Sequence, residues 1–124
     1  MNDNRPSNLN LLTIKWPLPA YTSILHRVSG VVIFLGLGGL LYMLQLSLAS
    51  EQGFEEAQSL MSGALVKFAV WAMLSALLYH LIAGVKHLLM DLGVGETLEG
   101  GRTGAMATLV CGTVAIIAAG VWIW

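Results

Sequence analysis

Three long runs without Lys, Arg, Asp or Glu divide this sequence: Val28 to Ser50, Phe68 to Val85 and Thr103 to Trp124. Crossing a hydrocarbon core of about 30 Å takes roughly 20 apolar residues in a helix. The first and third runs meet that length. The second reaches it when Lys67 and Lys86 extend their charges to opposite interfaces. The pattern predicts an all-α membrane protein with three transmembrane helices, at about residues 22-50, 61-90 and 103-124, in a single membrane-anchor domain over residues 1-124. No segment reads as a water-soluble domain, a repeat or low-complexity sequence.

The polar stretches set the ends and the orientation. Met1 to Tyr21 is an arm carrying Pro6, Pro17 and Pro19. Proline disfavours helix in the residue before it, so the first helix is expected to start near Thr22, with Thr22 or Ser23 as its cap. The arm does not resemble a cleaved leader, because the apolar run after it is too long for one. The first connection, Glu51 to Ser62, carries Glu51, Glu55 and Glu56, and reads as a solvated loop. The second, Asp91 to Arg102, contains Gly93, Gly95, Gly100 and Gly101 as turn markers. Arg5, Lys15, Lys86 and Arg102 gather at one end. Lys and Arg accumulate on the inner side of a membrane, which places the N-terminus inside and the C-terminus outside. Lys67 runs against that trend. Trp16 and Tyr21 suit an inner aromatic belt, and Trp122 and Trp124 an outer one.

Composition removes several function classes. The formal net charge is -1, and no basic patch suits nucleic acid. Cys111 is the single cysteine, so no intrachain disulfide exists, and it reads as a packing residue. Gly30, Gly36, Gly38 and Gly39 in the first run, and Ala115 and Ala119 in the third, permit close helix approach in lipid.

Two ionisable clusters stand out, because such groups at membrane depth are costly and point to function. Ser23, His26, Arg27 and Gly30 fall at i, i+3, i+4 and i+7, which is one helix face. A hydroxyl and a guanidinium one turn apart can hydrogen-bond a carbonyl oxygen of a ligand. Ser23 as a plain cap and Arg27 as a plain interfacial anchor is the competing reading. His80, Gly84, His87 and Asp91 share a second face. A neutral His80 inside an apolar run is a good axial ligand for haem iron, with Gly84 leaving room beside it. His87 lies about 10 Å further along the axis, within reach of a haem propionate. His26 and His87 sit too near the interface to face His80 across one iron. The second ligand is therefore expected from another chain, within a hetero-oligomeric helix bundle.

These residues resemble the cytochrome b subunit of succinate dehydrogenase, the haem and quinone anchor of respiratory complex II. The resemblance rests on Arg5-Pro6, Asn8-Leu9, Pro17 and Ser23-x-x-His26-Arg27-x-Ser29-Gly30, followed by His80-x-x-x-Gly84-Val85-Lys86-His87-x-x-x-Asp91-x-Gly93, in that order over nearly the whole chain. The family pattern usually has Arg where this chain has Lys86, which keeps the charge but not a fork-shaped contact. The resemblance implies Ser23 and Arg27 at a ubiquinone site, His80 as one axial ligand of haem b, and His26, Arg27 and His87 near the haem propionates. It implies a flavoprotein subunit, an iron–sulfur subunit and a second small membrane anchor as partners, in a bacterial inner membrane. Succinate chemistry would lie outside this chain. A fumarate reductase anchor and a cofactor-free structural anchor are the alternatives.

Overall fold

The computed structural model describes residues 9–124, all of whose regular structure is helical. Arg5, Pro6 and Asn8 of the sequence motif lie outside the described residues. Four helices follow in order: α1 (Leu18–Ala49), α2 (Glu51–Ser62), α3 (Ala64–Asp91) and α4 (Leu98–Ile123). Helices α1, α3 and α4 are long and apolar enough to cross a membrane. They pack mutually, with α2 folded against α1 and α3.

Helix α1 begins a turn earlier than Thr22. Pro17 is its N-cap and Pro19 lies in its first turn. Proline is tolerated there because the first N–H groups have no helical partner. The two prolines thus start the helix instead of delaying it. Neither Thr22 nor Ser23 caps it. Thr22 is fully buried, and its hydroxyl donates to the Pro19 carbonyl at 2.9 Å.

The first connection is also helical. Ser50 breaks α1 in extended conformation and caps α2 by accepting from the Gly53 N–H at 2.9 Å. Glu51 then sits in the first turn of α2, where the helix dipole favours negative charge. Gly53 and Ala57 form its buried side, and Glu51, Glu55 and Glu56 remain exposed. The second connection is shorter than its composition suggests. Gly93 and Gly95 take φ of +87° and +73°, which L side chains avoid. Thr97 caps α4 by accepting from the Gly100 N–H at 3.0 Å, so Gly100 and Gly101 lie inside the helix.

The interior is built from small residues and the exterior from large apolar ones. Gly101, Ala105, Thr108, Gly112 and Ala119 form the buried stripe of α4. Ala83 and Ala105 are completely enclosed, whereas Phe34 is 78% exposed and Val121 77%. A water-soluble bundle would bury the large side chains, and this inversion suits lipid. Met73 on α3 presses against Gly36 of α1, while Gly38 and Gly39 face open space. At the far end Trp71 donates its indole N–H to the Ile116 carbonyl at 3.1 Å. Its ring meets Phe68 and Trp124 edge-on.

Gly112 and Gly38 make a clean comparison. A Cβ at Gly112 would lie 3.0 Å from the Tyr79 ring, and one at Gly38 would meet nothing within 4 Å. Gly112→Val is expected to destabilise by about 1–3 kcal/mol through overpacking, and Gly38→Ala to be neutral. Thermal denaturation of the two variants in detergent checks this.

Candidate functional site between two glycines

Helices α1 and α3 cross near the end of the bundle that holds the arm and the 92–97 turn. Each presents an imidazole to a glycine of the other. A Cβ at Gly30 of α1 would lie 3.1 Å from His80 Cε1, and one at Gly84 of α3 would lie 3.5 Å from His26 Nε2. Glycine removes the side chains that would keep these rings apart. The His26 and His80 rings stack with centroids 4.0 Å apart and 15° between planes. His87 completes the group, its ring tilted against His26 at 5.1 Å.

Polar contacts fix the His80 ring. Its Nδ1 lies 3.0 Å from the His26 carbonyl and 3.0 Å from Ser29 Oγ. The Ser29 hydroxyl donates to that same His26 carbonyl at 2.7 Å. Among the described residues, His80 Nε2 has no hydrogen-bond partner. The preceding residue, Tyr79, is buried and joins three helices. Its hydroxyl donates to the Thr22 carbonyl of α1 at 3.0 Å, and its ring lies against Gly112 of α4.

The stacking corrects the expected depth of His26. Counted from Leu18, His26 lies about 12 Å along α1, and His80 lies about 16 Å before the end of antiparallel α3, at 1.5 Å per residue. The stacked rings nevertheless lie level. Stacked face to face, the two rings leave no space between them for a bound group. The space beside Gly84 that the sequence suggested for a macrocycle is filled by His26. The three histidines do not form a metal site by themselves either. Among the described residues no group of three His, Cys, Asp or Glu could hold a metal ion.

The first cluster splits at its edges. At about 100° per residue its four members span an arc of roughly 100° from His26 to Arg27. His26 and Gly30 form the side packed on α3. Ser23 is half-buried and Arg27 exposed, and neither side chain hydrogen-bonds within the described residues. On α3, Lys86 turns away from the imidazoles and lays its stem along Gly104 of α4, its Cε 3.5 Å from where a Cβ would stand. Residue by residue, then, His26, His80 and His87 come together. Ser23 and Arg27 open outward beside them, and Asp91 is exposed at the helix end. Sequence reasoning gave Ser29 and Tyr79 no role. Ser29 stands three residues after His26, a spacing that could have flagged its hydroxyl for the His26 carbonyl.

Comparison with known proteins gives the family. The family model of the succinate dehydrogenase/fumarate reductase transmembrane subunit matches residues 1–119. The chain belongs to that family. It is similar to the succinate dehydrogenase cytochrome b556 subunit of Coxiella burnetii, 46% identical over the whole of both chains. It is also similar to the Paracoccus denitrificans b556 subunit, 31% identical over 91% of this chain and 86% of that one. The mitochondrial cytochrome b560 subunit of Bos taurus is 34% identical over 86% of this chain and 64% of the relative. The family makes this a membrane subunit of an oxidoreductase complex, with three helices able to span the bilayer.

The paired glycines yield an asymmetric expectation. Gly30→Val would drive a methyl into the His80 ring and cost about 1–3 kcal/mol, while Gly84→Ala, at ordinary contact distance, would be tolerated. Comparing the melting temperatures of the two variants against wild type tests which imidazole is held more tightly.

Proposed function

We propose that this chain is the haem-carrying membrane anchor of a succinate:ubiquinone oxidoreductase. The observation that carries the reading is His80. Its Nδ1 is engaged inside the chain, its Nε2 has no partner among the described residues, and it lies within a membrane-length apolar helix of a family whose named relatives are cytochromes b. A neutral imidazole with one nitrogen hydrogen-bonded and the other bare is the donor that haem iron takes. Haem b, when bound, would supply a one-electron carrier. His80 would hold it from one side, and a second small anchor subunit would supply the opposite ligand. His26, stacked on His80, His87, tilted against His26, and Arg27 beside them would meet its propionates.

Ser23 and Arg27 would form this chain's part of the ubiquinone site. Both project from α1, one turn apart, without hydrogen-bond partners among the described residues. The Arg27 guanidinium can hold a carbonyl oxygen as negative charge grows on it, while Ser23 donates or accepts a hydrogen bond at the same oxygen. Succinate would be oxidised at a flavoprotein subunit, with an iron–sulfur subunit passing its electrons to the quinone. The arm and the 92–97 turn, with Lys15, Lys86 and Arg102 near them, would face the cytoplasm of a bacterium, and the C-terminus the periplasm.

Two experiments test this. In the purified complex, His80→Ala is expected to abolish the b-type band in a reduced-minus-oxidised visible spectrum. An unchanged band would move the ligand elsewhere, and no band in haem-replete wild type would favour a cofactor-free anchor. Arg27→Leu is expected to lower kcat/KM for ubiquinone by about 10–100-fold, the worth of a charge-assisted hydrogen bond. Ser23→Ala should cost about three- to tenfold in the same steady-state assay. Unchanged kinetics in both variants would remove this quinone site.

A further inference from the structure

We propose that Ser29 is a positioning residue for haem iron, acting through His80. With the carbonyl of His26 it holds the proton on His80 Nδ1 and aims Nε2 outward as the bare nitrogen. This rests on the reading of His80 as an iron ligand.

Three distances carry the argument. His80 Nδ1 faces two oxygens at 3.0 Å, the His26 carbonyl and Ser29 Oγ. The carbonyl can only accept. Ser29 Oγ is 2.7 Å from the same carbonyl, so its own proton is committed there and its lone pairs turn toward Nδ1. Both oxygens therefore act as acceptors at Nδ1. The tautomer protonated at Nδ1 satisfies both. The other tautomer would set the bare Nδ1 electron pair against carbonyl lone pairs at 3.0 Å. Ser29 is itself buried, so this hydroxyl is shielded from lipid and fixed in place. Gly30 beside it admits the ring edge. The arrangement is a hydrogen-bonded shell around the ligand, of the kind that sets ring orientation and donor strength at metal sites.

The test uses the assembled complex with Ser29→Ala, Ser29→Cys and Ser29→Thr. It measures haem transfer to an excess of a haem-scavenging apoprotein and the EPR g-values of the ferric haem. Ala and Cys are expected to weaken haem retention by about tenfold or more and to shift the largest g-value, as the ring loses its fixed angle. Thr, which keeps the hydroxyl, should match wild type in both. A merely structural role would lower the yield of complex but leave retention and g-values per assembled haem unchanged, which would overturn the proposal. If the alanine variant does not assemble, the near-isosteric cysteine variant decides. If His80→Ala keeps its haem band, the ligand reading itself fails. If it loses the band while Ala and Cys at 29 behave as wild type, only the role of Ser29 fails.

Discussion

The hydrogen bonds between His80 Nδ1, the His26 carbonyl and Ser29 Oγ set the register on which the rest of the structure depends. Lipid offers no water to satisfy a polar group, so an imidazole nitrogen placed among apolar helices must find its partner in the protein. Only one relative position of α1 and α3 supplies it. Sliding either helix by one residue rotates the side chain by about 100° and carries Nδ1 away from both oxygens. Gly30 and Gly84 make the position reachable, because each clears the space into which the opposing imidazole fits. A slip would therefore lose the polar contacts and collide a ring with a side chain together.

The remaining packing builds outward from that crossing. Tyr79, next to His80, ties its hydroxyl to the Thr22 carbonyl and lays its ring on Gly112. This carries the α1–α3 register to α4 through one side chain. The stripe of Gly, Ala and Thr on α4 then lets the third span approach closely, while large apolar side chains stay outside. Packing of this sort in lipid rests on close contact and interhelical hydrogen bonds, with little hydrophobic drive between helices. The helix pair with the polar contacts is therefore the natural seat of specificity.

Much of this was legible in the sequence where the signal is local. Uncharged runs of membrane length mark the three spans, and the spacing of His80, Gly84 and His87 puts them on one face. What escaped depended on partners distant in sequence or on end effects. Pro17 and Pro19 read as obstacles, yet they start α1, and the level of His26 shows only in its stacking on His80. Glu51, Glu55 and Glu56 hid a helix, because α2 is stabilised by its Ser50 cap and by packing of Gly53 and Ala57, not by an apolar run. Ser29 and Tyr79 look like ordinary helix residues until α3 and α4 are laid beside them.

One arc of α1 now carries two kinds of residue, and helix geometry explains how they stay separate. His26 and Gly30 occupy the edge that α3 covers, and Arg27 the edge left exposed. The covered edge is rigid because its polar atoms are paired within the chain. The exposed edge keeps unpaired donors, which in lipid are tolerated only at the interface or against another molecule. Ser23 and Arg27 lie within about two and a half turns of the start of α1, shallow enough for the guanidinium to reach headgroups before a partner arrives. His80, level with His26, is already tied by Nδ1, so among the described residues only its Nε2 is left without a partner. One helix pair thus holds a covered polar contact at His80 and an exposed polar edge at Arg27 side by side.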